Sequence, residues 1–396
     1  MAEKDPVTTI WDYLQWRGDL PLTRDAFNEV DNLLLCIVSY IDFRRITQLK
    51  SFDPAEAMPI GEVCALLTEE DEQLGLSPED YIPVMRAMAL TERFRDVKMF
   101  AFEDSYDEEK VMQFSAVSFL LPDKSVFVAY RGTDTTLVGW IEDFNMSFMS
   151  AVPAQLRAAE YAVEVAQAVP RRALRLGGHS KGGNLAAWAA IHLPKKLQNK
   201  RLVEVYNNDG PGFDKKVLES AEYARVEDKI HTFIPEASIV GMLLEHAEDY
   251  TIIDSTNHSL MQHEPLSWNV LGNRFIYLGQ RSEAARLGDN VVRDWLAAMS
   301  VEERKEFVEA LHSILSVSGK VKTLEDLRAG GLSNSFALVK EYIGADEKKK
   351  KILNQIFKRL AAETTEELRK AAEERLKSAE QTLRQTVLER KKHNES

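Results

Sequence analysis

The sequence has few cysteines and no long hydrophobic run, and each shortage excludes a class of protein. Cys36 and Cys64 are the only cysteines among 396 residues, so neither a disulfide framework nor a zinc ligand set is expected. A reducing, cytoplasmic setting fits this cysteine usage. The longest apolar run, 33–41, is far shorter than the about 20 residues of a membrane span. Its polar flanks predict a buried helix over 24–43, and the first residues lack the pattern of a secretory signal.

Positive charge is also in short supply. The sequence has 50 Lys and Arg residues and 63 Asp and Glu residues, so its formal charge is −13. This negative charge argues against a nucleic-acid or anionic-membrane partner. Histidines and carboxylates show no ligand spacing such as His-Glu-x-x-His, so we expect no metal and no organic cofactor. Hydrophobic residues at 44% and charged residues at 29% are typical of a folded globular chain.

Hydrophobic periodicity divides the chain into three regions. Helical spacing over 1–96 predicts a helical segment that packs on the core, and 281–396 reads as a C-terminal helical region. Between them, 97–280 alternates short β-rich runs with helical ones, which predicts a mostly parallel sheet with helices on both faces. A turn at 122–124 predicts one antiparallel hairpin. The predicted strands are 98–103, 113–121, 125–130, 173–177, 202–207, 229–234, 250–255 and 274–278.

The end of the chain carries a narrow apolar stripe over 364–392. Leucine, alanine and valine recur at helical spacing there, with charged residues between them. The stripe is compatible with an arm docked on the same molecule, with self-association or with a partner helix. Fewer strong heptads are present than a coiled coil requires.

The passage with the clearest chemical meaning is Gly178-x-Ser180-x-Gly182. A β-rich run ends just before it and an Ala/Leu/Trp helical run begins just after Ser180, which is the strand, turn and helix setting of a nucleophile elbow. Side chains at Gly178 and Gly182 would collide in so tight a turn. We therefore expect Ser180 to be the nucleophile, with the backbone N–H of Lys181 able to stabilise an oxyanion.

A second oxyanion donor is expected in the loop after the third strand. The strand 125–130 is followed by Arg131, Gly132, Thr133 and Asp134. A glycine beside a small hydroxyl residue allows backbone N–H groups to face the serine, so Thr133 and Gly132 complete the predicted oxyanion hole. Trp140 and Asp143, on the next helical stretch, are interpreted as packing and surface residues.

Several of these segments together resemble a known family. The sequence looks like the class 3 (fungal-type) lipase branch of the α/β-hydrolases, and closest to a bacterial cytoplasmic family within it. This resemblance implies an α/β-hydrolase fold and a serine hydrolase, and it leaves the substrate open. The segments that carry it are 11–19, 27–33, 130–134, 140–143, 178–186, 209–213 and 262–268.

In this fold the nucleophile is followed in sequence by an acid and then by a histidine. The histidines after Ser180 are His192, His231, His246, His258 and His263. The first three are expected to be structural, since they belong to the elbow helix, a strand start and the end of a helical run. His258 and His263 follow the strand 250–255; the resemblance favours His263, with His258 as the alternate. His179 is expected to point away from the nucleophile and to serve only as a surface or packing residue.

The acid is less well determined by the sequence. Asp209 follows a strand and precedes Gly-Pro-Gly, a rigid turn that can direct its carboxylate to the cleft, and it is the first choice. Glu236 is the alternate and Asp254 the third choice. Class 3 lipases carry their Asp after the next strand, where this sequence has Ser238. Asp209 could equally be a turn residue that caps the following helix.

Two functional hypotheses follow. The first is an esterase or lipase-like serine hydrolase that forms an acyl-enzyme from a small acyl ester or lipid-like substrate. The second is a weak or inactive α/β-hydrolase scaffold that binds a partner through its helical extensions. The second is suggested by the missing acid at the usual position and by the long extension 281–396.

Overall fold

The structure is a computed structural model that describes residues 8–68, 81–133, 151–238, 240–257 and 262–279. The predicted region 281–396 and its stripe over 364–392 lie outside these residues. The helices are α1 Ile10–Arg17, α2 Glu29–Val38, α3 Ile60–Leu66, α4 Tyr81–Ala89, α5 Pro153–Ala168, α6 Lys181–His192, α7 Lys195–Lys200 and α8 Lys215–Leu218. The strands are β1 Met58–Pro59, β2 Lys98–Asp107, β3 Met112–Leu120, β4 Ser125–Tyr130, β5 Ala173–His179, β6 Leu202–Asn208, β7 Ile230–Pro235, β8 Tyr250–Ile253, β9 Val270–Leu271 and β10 Arg274–Phe275.

Within the described residues, β1 to β8 form one sheet in which neighbours in space are neighbours in sequence. The pairs β1–β2, β2–β3 and β3–β4 are antiparallel, and every pair from β4 to β8 is parallel. The predicted hairpin at 122–124 and the predicted parallel sheet are therefore confirmed. The carboxyl ends of β4 to β8 meet at one edge, where a site in such a sheet is expected.

Three predictions about local structure are wrong in detail. The lead-in is not all helical, because Met58–Pro59 pairs with Lys98 and Met99 as the first strand of the sheet. The helix predicted over 24–43 covers only Glu29–Val38, since the Asn28 side chain accepts the amides of Val30 and Asp31 and so starts it late. The strand predicted over 274–278 reduces to β10, which pairs with β9 outside the main sheet.

The order of the strands determines which elements cover each face of the sheet. Parallel connections are right-handed, so a sheet whose strands follow one another in order has its crossover helices on one face. Accordingly, α5 and α6 share one hydrophobic cluster with sheet residues such as Val128 and Leu176. The opposite face needs a cover that the crossovers cannot supply.

The N-terminal helices supply that cover. Residues of α1, α2 and α4 form a second cluster with the other side of the sheet, including Phe127 and Tyr206. Helix α2 is buried at nine of its ten residues and contacts β4, β5 and β6. It thus packs directly beneath the strands that lead to Ser180 and Asp209. The division into an N-terminal segment 1–96 that packs on the core, the core 97–280 and a C-terminal helical region 281–396 stays a prediction.

A buried ion pair holds the N-terminal helices together. The Arg93 guanidinium donates to the Asp31 carboxylate at 2.6 Å through Nε, and both side chains are fully buried. Arg93 also donates to the backbone carbonyls of Leu20, Asp25 and Ala26, and Tyr13 donates to Asp31 at 2.7 Å. Every charge in this cluster therefore has a partner, which is the condition under which a buried pair is tolerated.

We expect Asp31→Asn to lower the free energy of unfolding by about 3 kcal/mol, because the buried Arg93 charge loses its buried carboxylate and keeps only the partly exposed Asp25 at 3.4 Å. Urea unfolding followed by circular dichroism measures this loss. The control is Arg44→Gln, which removes an exposed guanidinium and its pairs with Asp42 and Asp104 and should cost at most about 1 kcal/mol. Equal effects of the two substitutions would contradict this account of the cluster.

In the part of the chain described here, no helix is long and apolar enough to cross a lipid bilayer.

Candidate active site

Ser180 lies on a tight turn between β5 and α6. Its backbone has φ 59° and ψ −135°, a left-handed conformation that costs a non-glycine residue about 1–3 kcal/mol. The Ser180 amide donates to the Asn208 carbonyl on the neighbouring strand at 2.9 Å, and its own carbonyl accepts the Gly183 amide at 2.9 Å. The turn is thus held on both sides, and the strained residue is the predicted nucleophile.

The glycines around Ser180 are required by close contacts of the backbone. A Cβ at Gly178 would lie 2.1 Å from the carbonyl group of Gly182. A Cβ at Gly182 would lie 2.1 Å from the Tyr130 carbonyl oxygen at the end of β4. Because real Cβ atoms do not approach so closely, any larger residue at either position would push the helix away from the strands.

The loop after β4 reaches the serine. A Cβ at Gly132 would lie 3.0 Å from the Ser180 Cβ, so this loop and the turn are in contact. Thr133, the next predicted donor, is half-buried. The Lys181 amide is the first of α6, and its side chain is buried, donating from Nζ to the Gln113 carbonyl at 3.0 Å. Asp134, Trp140 and Asp143 lie outside the described residues.

His263 is bonded to the first of the predicted acids. Its Nδ1 lies 2.6 Å from Oδ2 of Asp209, and the Asp209 side chain is fully buried while that of His263 is 28% exposed. Asp209 follows β6 with φ 53°. The acid is thus shielded from water, and the imidazole is accessible at the edge where Ser180 lies.

The remaining acid predictions have other surroundings. Asp254 accepts a hydrogen bond from the Asn269 amide at 2.7 Å. Glu236 donates its backbone amide to the Ile253 carbonyl, and its carboxylate makes no hydrogen bond to His263 in the described residues. The interpretation of Asp209 as a helix cap is wrong, since α8 is capped by Asp214, whose carboxylate accepts the Val217 amide.

Ser238, at the position where the resemblance to class 3 lipases leads one to expect an Asp, is hydrogen-bonded to Asp209. Its hydroxyl donates to Asp209 Oδ2 at 2.6 Å, and the Gly241 amide donates to Oδ1 at 3.1 Å. The carboxylate therefore comes from the end of β6, and the segment after β7 supplies donors to it. These hydrogen bonds determine the orientation of the Asp209 carboxylate.

Three of the other predicted histidines have structural surroundings. His192 stacks on Trp188 at the end of α6, and His231 at the start of β7 packs on Tyr206. His246 was predicted at the end of a helical run; it instead follows a 3₁₀ turn, Val240–Met242. Both backbone groups of Gly241 in this turn bond to side chains, the amide to the Asp209 carboxylate and the carbonyl to the His246 ring. His258 lies outside the described residues.

His179 is not the plain packing residue that was expected. It is buried, its Nδ1 lies 3.0 Å from the Tyr40 hydroxyl, and its Nε2 lies 2.8 Å from the His263 carbonyl oxygen. Burial, and then the charge of the neighbouring His263, lower the pKa of His179 well below its usual range. No signal in the sequence beyond its place beside Ser180 indicated these contacts.

A buried amide pair beneath the site was also missed. Asn32 on α2 and Asn208 on β6 exchange hydrogen bonds at 2.9 and 3.2 Å, and Asn208 also donates to the Gly178 carbonyl at 2.9 Å. Asn208 thus connects the N-terminal segment with the strand that leads to Ser180. The two residues are 176 positions apart, so no local pattern could have paired them.

Another buried carboxylate, Glu248, makes the stability of the fold depend on pH. Burial alone would raise the pKa of Glu248, but its hydrogen bond to His246, the charge of His246, and the Thr232 and Tyr223 hydroxyls lower it to about 2. Because the pKa of Glu248 is lower in the folded protein than the unfolded value of 4.5, Glu248 stabilises the fold above about pH 4.5. This stabilisation is lost as the pH falls towards 2.

We expect wild-type protein to lose about 3 kcal/mol of unfolding free energy through Glu248 between about pH 5 and about pH 2. Glu248→Gln should lack this part of the pH dependence in urea unfolding at a series of pH values. The control is Glu222→Gln, which removes an exposed carboxylate paired with Arg225 and should leave the pH dependence nearly unchanged. Identical profiles for wild type and Glu248→Gln would contradict the assignment.

A cavity of about 590 Å³ lies at the opposite edge of the sheet, among residues that precede β2, β4 and β5, such as Asp96, Pro122 and Arg171. It is therefore remote from Ser180. Within the described ranges, no group of three or more metal-ligating side chains comes together.

The mostly parallel sheet, with helices on both faces and a strand–turn–helix at the serine, defines an α/β-hydrolase fold. The family model described as Mbeg1-like matches residues 88–313, more than half of the sequence. The chain belongs to the Mbeg1-like family.

Solved structures of fungal lipases are similar to this chain at low identity. The native Rhizomucor miehei lipase propeptide complex is 18% identical over 40% of this chain and 57% of that chain, with TM-score 0.31. A deletion mutant of the same complex is 16% identical over 59% and 75%, with TM-score 0.37. A mutant form of MDLA from Penicillium cyclopium is 13% identical over 62% and 83%, with TM-score 0.37.

These values are too low to assign an activity or a substrate to this chain. The match spans only a little over half of the native Rhizomucor miehei chain. No curated protein sequence matches the chain significantly.

Proposed function

We propose that this protein is a serine hydrolase that cleaves an acyl ester through Ser180, His263 and Asp209. The observation that carries the proposal is the hydrogen bond of 2.6 Å between His263 Nδ1 and the buried Asp209 carboxylate. It occurs at the sheet edge where Ser180 occupies a strained turn. A carboxylate on Nδ1 selects the tautomer whose Nε2 can accept a proton, as a catalytic base requires.

The mechanism follows from the roles of these groups. His263 Nε2 takes the proton of the Ser180 hydroxyl as the oxygen attacks the ester carbonyl, and the backbone amides of Thr133 and Lys181, with Gly132 beside them, stabilise the oxyanion. His263 then gives its proton to the departing alcohol, which leaves an acyl-Ser180 ester. Water, deprotonated by His263, releases the acid and restores Ser180. Asp209 stays ionised and stabilises the imidazolium.

The scaffold hypothesis loses its main support. It depended on the lack of an acid at the usual position, and Asp209 offers a carboxylate to His263 from a different strand. Its other support, the extension 281–396, lies outside the described residues. We therefore retain the hydrolase as the proposal and keep the inactive scaffold as an outcome of its test.

The proposed substrate is a small acyl ester or a lipid-like molecule with such a bond. We also propose a cytoplasmic location, because Cys36 and Cys64 are both free thiols and Cys36 is buried in the core. Burial raises the pKa of the Cys36 thiol well above its usual range, which keeps it protonated and unreactive.

A fluorophosphonate probe tests the proposal, because it reacts only with a serine activated by a base. We expect the native protein to gain one covalent adduct, which peptide mass spectrometry maps to Ser180. Ser220→Ala, which removes a half-buried serine remote from the turn, should label like wild type. A native, folded protein that remains unlabelled would support the inactive scaffold instead.

A further inference from the structure

Two side chains link the N-terminal segment to the loop that carries His263. The Tyr40 hydroxyl, just after α2, lies 3.0 Å from His179 Nδ1, and His179 Nε2 lies 2.8 Å from the His263 carbonyl oxygen. All three residues are at least partly buried, and Tyr40 and His179 are buried. Tyr40 lies 139 positions before His179 in the sequence, and His179 directly precedes the proposed nucleophile.

The acceptors in this series of hydrogen bonds determine which atoms of Tyr40 and His179 carry the protons. A backbone carbonyl only accepts, so His179 must donate to His263 from Nε2. The neutral ring then carries no proton on Nδ1, which can accept from the Tyr40 hydroxyl 3.0 Å away; the same hydroxyl also lies 3.2 Å from the His179 carbonyl oxygen. Burial lowers the pKa of His179 and raises that of Tyr40, so both groups are neutral and the direction of donation does not change near neutral pH.

The same two residues touch both sides of the proposed catalytic site. The His179 and His263 rings are 4.6 Å apart with 33° between their planes, so His179 supports the catalytic ring as well as its backbone. On the other side, a Cβ at Gly132 would lie 2.2 Å from the Tyr40 hydroxyl. Tyr40 is therefore in contact with the loop that supplies the proposed oxyanion donors.

We infer that Tyr40 and His179 are positioning residues that fix the position of His263 relative to Ser180 and the loop after β4. The inference rests on the proposed hydrolase function. Neither residue touches the reacting atoms: His179 acts through the backbone and ring of His263, and Tyr40 acts through His179 and the loop at Gly132. It follows that the N-terminal segment is a working part of the site and not only a cover for the sheet.

A third contact from the N-terminal segment reaches the same loop. The Tyr81 hydroxyl on α4 donates to Glu264 Oε1 at 3.0 Å, one residue after His263. Tyr40 and Tyr81 also contact each other, with ring centroids 5.8 Å apart. The loop of His263 is thus held at two consecutive residues, at His263 by His179 and at Glu264 directly by α4, which strengthens the case for positioning.

Kinetics of matched variants test the inference. Tyr40→Phe keeps the ring and removes the donor, and we expect kcat for a nitrophenyl ester to fall about tenfold with KM unchanged. His179→Phe keeps a ring but removes both hydrogen bonds, and kcat should fall about 100-fold, as expected for a misplaced catalytic group. His179→Gln can accept from Tyr40 and donate to His263, so it should recover most of the loss. His192→Phe is the control, because that ring lies at the far end of α6.

The outcomes separate this inference from the proposed function. If wild type hydrolyses the ester and all variants have the same kcat, the inference is wrong and the hydrolase proposal stands. The same conclusion follows if His179→Gln folds but recovers none of the kcat lost in His179→Phe. If wild type is inactive, the hydrolase proposal fails, and nitrogen-15 NMR of His179 still decides the hydrogen-bond chain. A His179 signal with the proton on Nε2 agrees with the chain, and a proton on Nδ1 overturns it. Should His179→Phe not fold, Tyr40→Phe and His179→Gln decide alone.

Discussion

Replacing Ser180 with alanine is expected to lower kcat for an ester substrate by about 10⁶, the scale seen when a serine hydrolase loses its nucleophile. The alanine variant has no oxygen with which to form the acyl-enzyme, and only the oxyanion donors and substrate binding remain. Initial-rate measurements with a nitrophenyl ester, together with loss of the fluorophosphonate adduct, check the prediction. A variant that keeps a tenth of wild-type turnover would show that another residue is the nucleophile.

Ser180→Gly separates the strain of the turn from its chemistry. The φ of 59° is unfavourable for serine and alanine and is readily adopted by glycine. We therefore expect the glycine variant to be as inactive as the alanine variant but more stable than it, by about 1 kcal/mol in urea unfolding. An equal stability of the two variants would mean that the turn stores no strain.

Asp209→Asn has the second-largest expected effect, a fall in kcat of about 10⁴ with the fold intact. The amide of asparagine does not hold the Nδ1–H tautomer of His263, so Nε2 is no longer a base, and the imidazolium loses its stabilising charge. Kinetics at neutral pH, with circular dichroism to verify folding, measure this effect.

Glu236→Gln and Asp254→Asn are the matched controls for the acid. Each replaces a carboxylate that the sequence also allowed, and each should leave kcat within about threefold of wild type, because the carboxylate bonded to His263 Nδ1 is that of Asp209. A large loss in either control, with Asp209→Asn active, would move the acid to that residue. Ser238→Ala, which removes one donor to Asp209, should cost about tenfold.

The part of the site around Ser180 could be predicted because its residues are close in sequence. A strand, a glycine-flanked serine and a helix determine one another over a few positions, and the contacts of Gly178 with Gly182 are local consequences of that order. The hairpin at 122–124 and the parallel strands after it were predictable for the same reason. The order of serine, acid and histidine along the sequence reduced the candidates for the acid and the histidine but left more than one of each.

The acid and its supports depend on contacts between distant segments. Asp209, Ser238 and His263 come from the ends of different strands and meet only when β6, β7 and the loop after β8 are side by side. Sequence reasoning ranked Asp209 first but gave the helix-cap interpretation equal weight, because both fit a residue before Gly-Pro-Gly. The contacts of Tyr40 and His179 left no pattern in the sequence at all.

By itself the sequence determined the class of fold, the strained serine and the lack of any metal-ligand spacing, since these depend on periodicity and on residues a few positions apart. Only the tertiary structure decided which carboxylate faces His263, and that the N-terminal helices cover the second face of the sheet. The physical reason is the ordered arrangement of the strands. It puts the crossover helices α5 and α6 on one face, so the other face, behind the serine, is covered by the N-terminal helices.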